Sequence, residues 1–191
     1  MKKIGVTGGI AAGKSLVSRI LEEMGYPVFY SDRMAKELIR TSPNLKQQIT
    51  TLFGAEAYLA DKLNANFIAS SVFGEPELLE KLNAIVHPAV RKAFSEWCER
   101  QNSPLVFNEA AILFETGTYN QYDAILLVTA PLETRMQRAM LRDGSSKEEV
   151  LQRMDRQWSD EEKIPLASFV LLNDDQTPVL RQIETFLITL N

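Results

Sequence analysis

Gly8-Gly9-Ile10-Ala11-Ala12-Gly13-Lys14-Ser15 decides the reading of this chain. The spacing is G-x-x-x-x-G-K-[ST], the P-loop pattern. A polyphosphate needs many N–H donors turned inward, and a loop wraps that tightly only where glycine removes the Cβ clash. Lys14 adds a mobile positive charge for the β- and γ-phosphates, and Ser15 offers a hydroxyl to Mg²⁺. The helix that follows turns its positive N-terminus toward the anion. Gly8, Gly9, Ile10, Ala11, Ala12, Gly13, Lys14, Ser15 and Leu16 are therefore the candidate ATP-binding residues.

The flanks supply the context that the loop demands. Lys3-Ile4-Gly5-Val6-Thr7 is a short apolar run of the strand kind. Leu16, Val17, Ile20, Leu21 and Met24 then recur at helical spacing, and Gly25 suits the residue just past a helix end. Strand, glycine loop and helix follow in immediate succession.

Composition bounds the rest. The 191 residues are 45% hydrophobic and 24% charged, which suits one globular domain with room for inserted subdomains. The single cysteine, Cys98, excludes an intrachain disulfide and fits a reducing compartment. It reads as buried filler beside Trp97. No stretch approaches the roughly 20 apolar residues of a membrane span, and no signal-peptide core opens the chain. These features lead us to expect a cytoplasmic protein with no membrane partner. A formal net charge of −4 argues against a general nucleic-acid binder.

Taken in order, Pro27-Val28-Phe29-Tyr30 reads as a second strand ending in Ser31-Asp32. A carboxylate there lies on the ligand side of an open α/β sheet. Asp32 could take a proton from an attacking hydroxyl, help hold Mg²⁺ through water, or cap a helix over 33–40. Residues 32–103 read as largely helical, including 61–73, with a break at His87-Pro88 because proline disfavours helix before it. So long a helical stretch between two strands exceeds a minimal crossover and suggests an inserted substrate-binding subdomain. His87, the only histidine, suits either a structural hydrogen bond or a site. Arg91 and Lys92 suit either a solvated face or anion contacts.

Leu105–Glu109 is a third strand ending in an acid, the Walker B arrangement, which makes Glu109 a candidate for orienting Mg²⁺. Ala110–Phe114 is an apolar loop that could fill the core or flank a ligand. Asp123–Val128 is a fourth strand, and a helix runs on through Arg142. Arg135, Arg138 and Arg142 share one face of it, either an exposed basic face or a clamp on phosphoryl groups. Two capping-box patterns, Ser145–Glu148 and Ser159–Glu162, mark short charged helices that read as a mobile lid. Ser168–Leu172 is the fifth strand, Asn173-Asp174-Asp175 a turn, and Thr177-Pro178 caps the last helix.

This order predicts an α/β P-loop NTPase fold: a five-stranded parallel sheet with helices on both faces. Residues 1–31, 105–134 and 168–191 form the nucleotide-binding core, 32–104 a helical acceptor-binding subdomain, and 135–167 the lid.

The sequence also resembles the dephospho-CoA kinases over nearly its whole length. Thr7–Ile10 with Gly13-Lys14-Ser15 is similar to that family's TGGIGSGKS loop. Ser31-Asp32 with Ala35 resembles D-A-D-x-x-A, and Leu82-Asn83 with His87-Pro88 resembles L-N-x-x-x-H-P. Leu113-Phe114-Glu115 and Gly117 look like the end of P-L-L-F-E-x-G. Gln137, Arg138, Arg142-Asp143-Gly144, Gln157, Lys163, Ala167 and Asn173 match its C-terminal pattern. The chain departs from the family at Ala11 and Ala12 (Gly-Ser there), Leu16 (Thr), Tyr30 (the first Asp), Glu109 (Asp) and Ala111 (Pro). Ala11 keeps the cradle only with a negative φ, or with roughly 1 kcal/mol or more of left-handed strain.

The resemblance implies transfer of the ATP γ-phosphate to the ribose 3′-hydroxyl of dephospho-CoA, with Mg²⁺. It implies Asp32 as base, Lys14, Arg138 and Arg142 as charge stabilisers, and Ser15 and Glu109 toward the metal. Acceptor contacts fall to His87, Arg91, Leu113 and Phe114, and purine contacts to Asn173. The alternatives are a nucleoside monophosphate kinase, which shares this architecture, and a non-catalytic nucleotide switch.

Overall fold

The structure, a computed structural model, describes residues 1–190. It contains two compact units, Met1–Tyr30 together with the residues from Gln101 on, and Ser31–Arg100.

In the first unit, β1 (Lys2–Gly8) leads through the glycine loop into α1 (Lys14–Glu23), and β2 (Val28–Tyr30) follows. The second unit holds α2 (Ser31–Thr41), α3 (Pro43–Phe53), the hairpin of β3 (Tyr58–Leu59) and β4 (Lys62–Leu63), α4 (Ala65–Val72) and α5 (Pro76–Glu99). The chain then returns to the first unit with β5 (Leu105–Glu109), β6 (Ala124–Thr129), α6 (Leu132–Asp143), α7 (Lys147–Met154), α8 (Asp160–Lys163), β7 (Phe169–Leu172) and α9 (Val179–Thr189).

The main sheet has five strands in the order β2-β5-β1-β6-β7, paired in parallel. The P-loop strand is central. From β1 the chain first works toward one edge and, after β5, toward the other. The crevice at the C-terminal ends of β1 and its neighbours is thus the expected ligand position of an open α/β sheet. Helices and loops cover both faces, so the strands are apolar throughout rather than alternating; all of β6 is buried. On one face Val17 and Leu21 of α1 and Ile183, Phe186 and Leu187 of α9 pack on Ile4, Val6, Phe107, Leu126 and Val128. On the other, Leu113 and Phe114 pack on Ile125 and Leu127.

Four local expectations are corrected. The helix does not break at His87-Pro88: α5 runs on with Pro88 inside it. Val86, Val90, Phe94 and Cys98 recur every four residues and are all buried. That unbroken apolar stripe outweighs the roughly 3 kcal/mol that an internal proline costs. Residues 58–63 form an antiparallel hairpin where helix was expected to begin at 61, with positive φ at both Ala60 and Asp61. That backbone belongs to a tight hairpin turn, but the Asn-Gly or Asp-Gly signal is absent. The helix after β2 starts at Ser31, so Asp32 lies inside its first turn and does not cap it. The first lid capping box closes between Ser146 and Glu149, one residue later than the pattern Ser145–Glu148; the second, Ser159 with Glu162, is as expected.

Candidate active site

The loop's shape follows from its backbone. Gly13 has φ 104°, and α1 begins at the next residue. Ala11 has φ 58°, so the loop keeps its wrap at the cost of left-handed strain in a residue with a Cβ. Neither alanine methyl stands alone: Ala12 is buried in the sheet cluster, and Ala11 packs with Ile10 against Met136, Ala139 and Val150 of α6 and α7. A β-carbon at Gly8 would overlap the Val128 carbonyl oxygen on the neighbouring strand.

Hydrogen bonds from distant segments and from within hold the loop. The Asn173 side-chain amide donates to the Ala12 carbonyl at 2.8 Å. The Ile10 N–H donates to Gln157 Oε1 at 3.0 Å. Lys14 Nζ donates to the carbonyls of Gly8 at 2.9 Å and Gly9 at 3.2 Å. Ser15 lies exposed in the first turn of α1, and Leu16 beside it is exposed too. Glu109 ends β5 and pairs in register with Val6 of β1.

The three arginines of α6 part company. Arg138 Nη2 donates to the Asn173 carbonyl at 3.1 Å and to Asp175 at 2.6 Å. It thereby fixes the turn whose Asn173 grips the loop. Arg142 forks onto Asp143 at 2.7 and 3.0 Å, and Arg153 joins the same carboxylate. Those hydrogen bonds, from Arg142 first and Arg153 next, hold the Asp143 carboxyl well below the usual carboxylate range. Arg135, on the same face of α6, lies against Gly9.

Leu113 and Phe114 are 4% and 1% exposed; their side chains fill the core of the first unit. The loop they belong to ends at Glu115, which pairs with the fully buried Lys163 at 2.8 Å and accepts a hydrogen bond from the Trp158 N–H. This buried pair ties the 110–117 loop to α8. Sequence alone marked both residues as pattern matches but showed no reason for them to meet.

The second unit carries the remaining candidates. Asp32 is exposed in the first turn of α2. His87 and Arg91 stand one turn apart on α5. Burial and, secondarily, the Arg91 charge push the His87 imidazole below its ordinary value, which favours the neutral ring.

A parallel sheet with a P-loop at its central strand, a cationic helix beside that loop and a separate helical unit define a P-loop kinase of small molecules. The family profile for Dephospho-CoA kinase matches residues 2–178. A Dephospho-CoA kinase of Bacteroides fragilis is 41% identical over 182 residues, covering 95% of this chain and 89% of that protein. One from Thermus thermophilus is 43% identical over 170 residues, covering 89% and 82%. A crystal structure from Thermus thermophilus superposes with TM-score 0.86 at 40% identity over 99% of this chain and 95% of that one. This chain belongs to the dephospho-CoA kinase family, and as a member of it is an ATP-dependent kinase.

Proposed function

We propose that the chain transfers the ATP γ-phosphate to the ribose 3′-hydroxyl of dephospho-CoA, giving coenzyme A and ADP. The observation that carries this reading is the wrapped glycine loop, braced by Asn173 and Gln157, in a chain of this family. In the proposed mechanism the N–H groups of residues 9–15 hold the β-phosphate. Lys14 leaves the Gly8 and Gly9 carbonyls for the β- and γ-oxygens. Asp32 orients the 3′-hydroxyl and takes its proton as the γ-phosphoryl group moves in line from the ADP oxygen to the ribose oxygen. Arg138 steadies the nucleotide side through the 173–175 turn, Arg142 acts from the segment 135–167 as a lid, and His87 and Arg91 bind the acceptor. Rate arises from positioning and electrostatics, as in phosphoryl transfer generally.

The Ser15 hydroxyl and the Glu109 carboxylate are hard oxygen donors. They fit Mg²⁺, which keeps most of its water and takes phosphate oxygens alongside few protein ligands. Bound there, the ion would supply charge neutralisation at the phosphates.

The test is acceptor-dependent ADP release. Dephospho-CoA should support turnover far above any nucleoside monophosphate. A preference for a monophosphate, or ADP release indifferent to every acceptor, overturns the reading.

A further inference from the structure

We infer that Arg135 is a γ-phosphate-binding residue of this site, a role the sequence could not separate from those of Arg138 and Arg142. The inference rests on the proposed function and deepens it.

Position comes first. Arg135 projects from the first turn of α6, and its Nη1 occupies the space that a β-carbon on Gly9 would take. Lys14 Nζ contacts the carbonyls of Gly8 and Gly9. Both cations therefore flank the opening end of the loop. A P-loop lysine reaches the β- and γ-phosphates, so a guanidinium beside Gly9 stands at the γ end.

The chemistry of the side chain points the same way. Arg135 is only 14% exposed, and its nearest carboxylate oxygen, Asp160 Oδ1, lies at 3.8 Å. That is an ion pair without a hydrogen bond. Both Arg135 Nε and Asp160 Oδ1 are buried with no hydrogen-bond partner among the described residues. The other two arginines of the face have direct carboxylate hydrogen bonds, to Asp175 and Asp143. A buried guanidinium with open N–H groups costs free energy that an incoming oxyanion returns. A phosphoryl group presents paired oxygens that suit the planar fork. Asp160, at the start of α8, keeps the charge oriented over Gly9 without using up its donors.

The experiment measures ATP and ADP binding by calorimetry for the wild type, Arg135→Gln and Arg135→Lys, with thermal unfolding as a control for folding. Arg135→Gln should weaken ATP by about tenfold to a hundredfold, the size of a charged hydrogen-bonded contact. ADP, which lacks the γ-phosphate, should change by less than about threefold on the same scale. Arg135→Lys should recover part of the ATP affinity, because the charge survives and the fork does not. Equal losses for ATP and ADP, or no loss for either, overturn the inference. If Arg135→Gln fails to fold, the lysine variant decides: a reduced ATP-to-ADP preference supports the role, and an unchanged one removes it. The proposed function fails on a different readout, acceptor-dependent ADP release by the wild type, whatever the ratio does.

Discussion

The two units treat their candidate residues differently. Around the loop of the first unit, Asn173 and Gln157 make hydrogen bonds from distant stretches of chain and Lys14 from within the loop, and the strand beneath is buried from Ile4 to Gly8. In the second unit α2, which carries Asp32, has no buried residue at all, and Arg91 is exposed on α5. The lesson is one of division. The loop of the first unit is held in shape by hydrogen bonds from distant stretches of chain, whereas Asp32 and Arg91 of the second unit stand on exposed helix surfaces.

The largest effect expected of this division is on turnover. Asp32→Asn should lower kcat by about 10²- to 10⁴-fold, the usual contribution of a general base, and should leave ATP affinity and thermal stability near wild type. A variant that keeps its kcat removes Asp32 from the chemistry; one that loses ATP binding shows that the two sides are not independent.

Next comes the buried pair of the first unit. Lys163→Met leaves Glu115 without its partner, and stability should fall by about 3–5 kcal/mol, read by denaturant unfolding. A loss below about 1 kcal/mol, the range of surface pairs, would mean that the 110–117 loop is anchored by its apolar contacts alone.

A smaller effect, of opposite sign, is expected at the loop itself. Ala11→Gly relieves left-handed strain of about 1–2 kcal/mol, less about 0.4–1 kcal/mol for the freer unfolded chain. The melting temperature should rise slightly. A fall would show that packing of the Ala11 methyl against α6 and α7 outweighs the strain.

The smallest effect belongs to the second unit and to pH. The folded state holds His87 below its ordinary value of 6.5, first by burial and then by Arg91. The unfolded chain therefore binds the proton more readily, and the contribution is present above 6.5 and lost as pH falls through the folded value. The loss of stability between pH 7.5 and 5.5, read by thermal unfolding, should be smaller for His87→Gln than for the wild type. Equal drops would assign the acid sensitivity to other groups.

Much of this was legible beforehand. The loop pattern and the strand before it are short-range signals and turned out where local chemistry put them, whereas of the apolar face after it Val17 and Leu21 are buried while Leu16 and Met24 stand exposed. The capping box at Ser159 is local as well, and the one expected from Ser145 closes one residue later, at Ser146. What the sequence hid was non-local or cooperative. Pro88 is a helix breaker by its own geometry, but the buried stripe from Val86 to Cys98 carries the helix across it. The turn at Ala60-Asp61 has positive φ at both residues without the glycine or asparagine that usually signals it. Arg135, Arg138 and Arg142 look alike on a helical wheel. Only Gly9, Asn173 with Asp175, and Asp143 distinguish them, and those lie at distant points of the chain.

By itself, the sequence determined the phosphate cradle, the parallel α/β architecture and the family resemblance. These follow from glycine's missing Cβ, from apolar runs too long to be left in water, and from charges at fixed spacings, all of which act within a few residues. Tertiary structure alone decided which amide braces the loop, which carboxylate each arginine meets, and that Lys163 is buried against Glu115. Those outcomes depend on groups brought together across the sheet, where desolvation makes each hydrogen bond and ion pair count far more than its place in the chain could show.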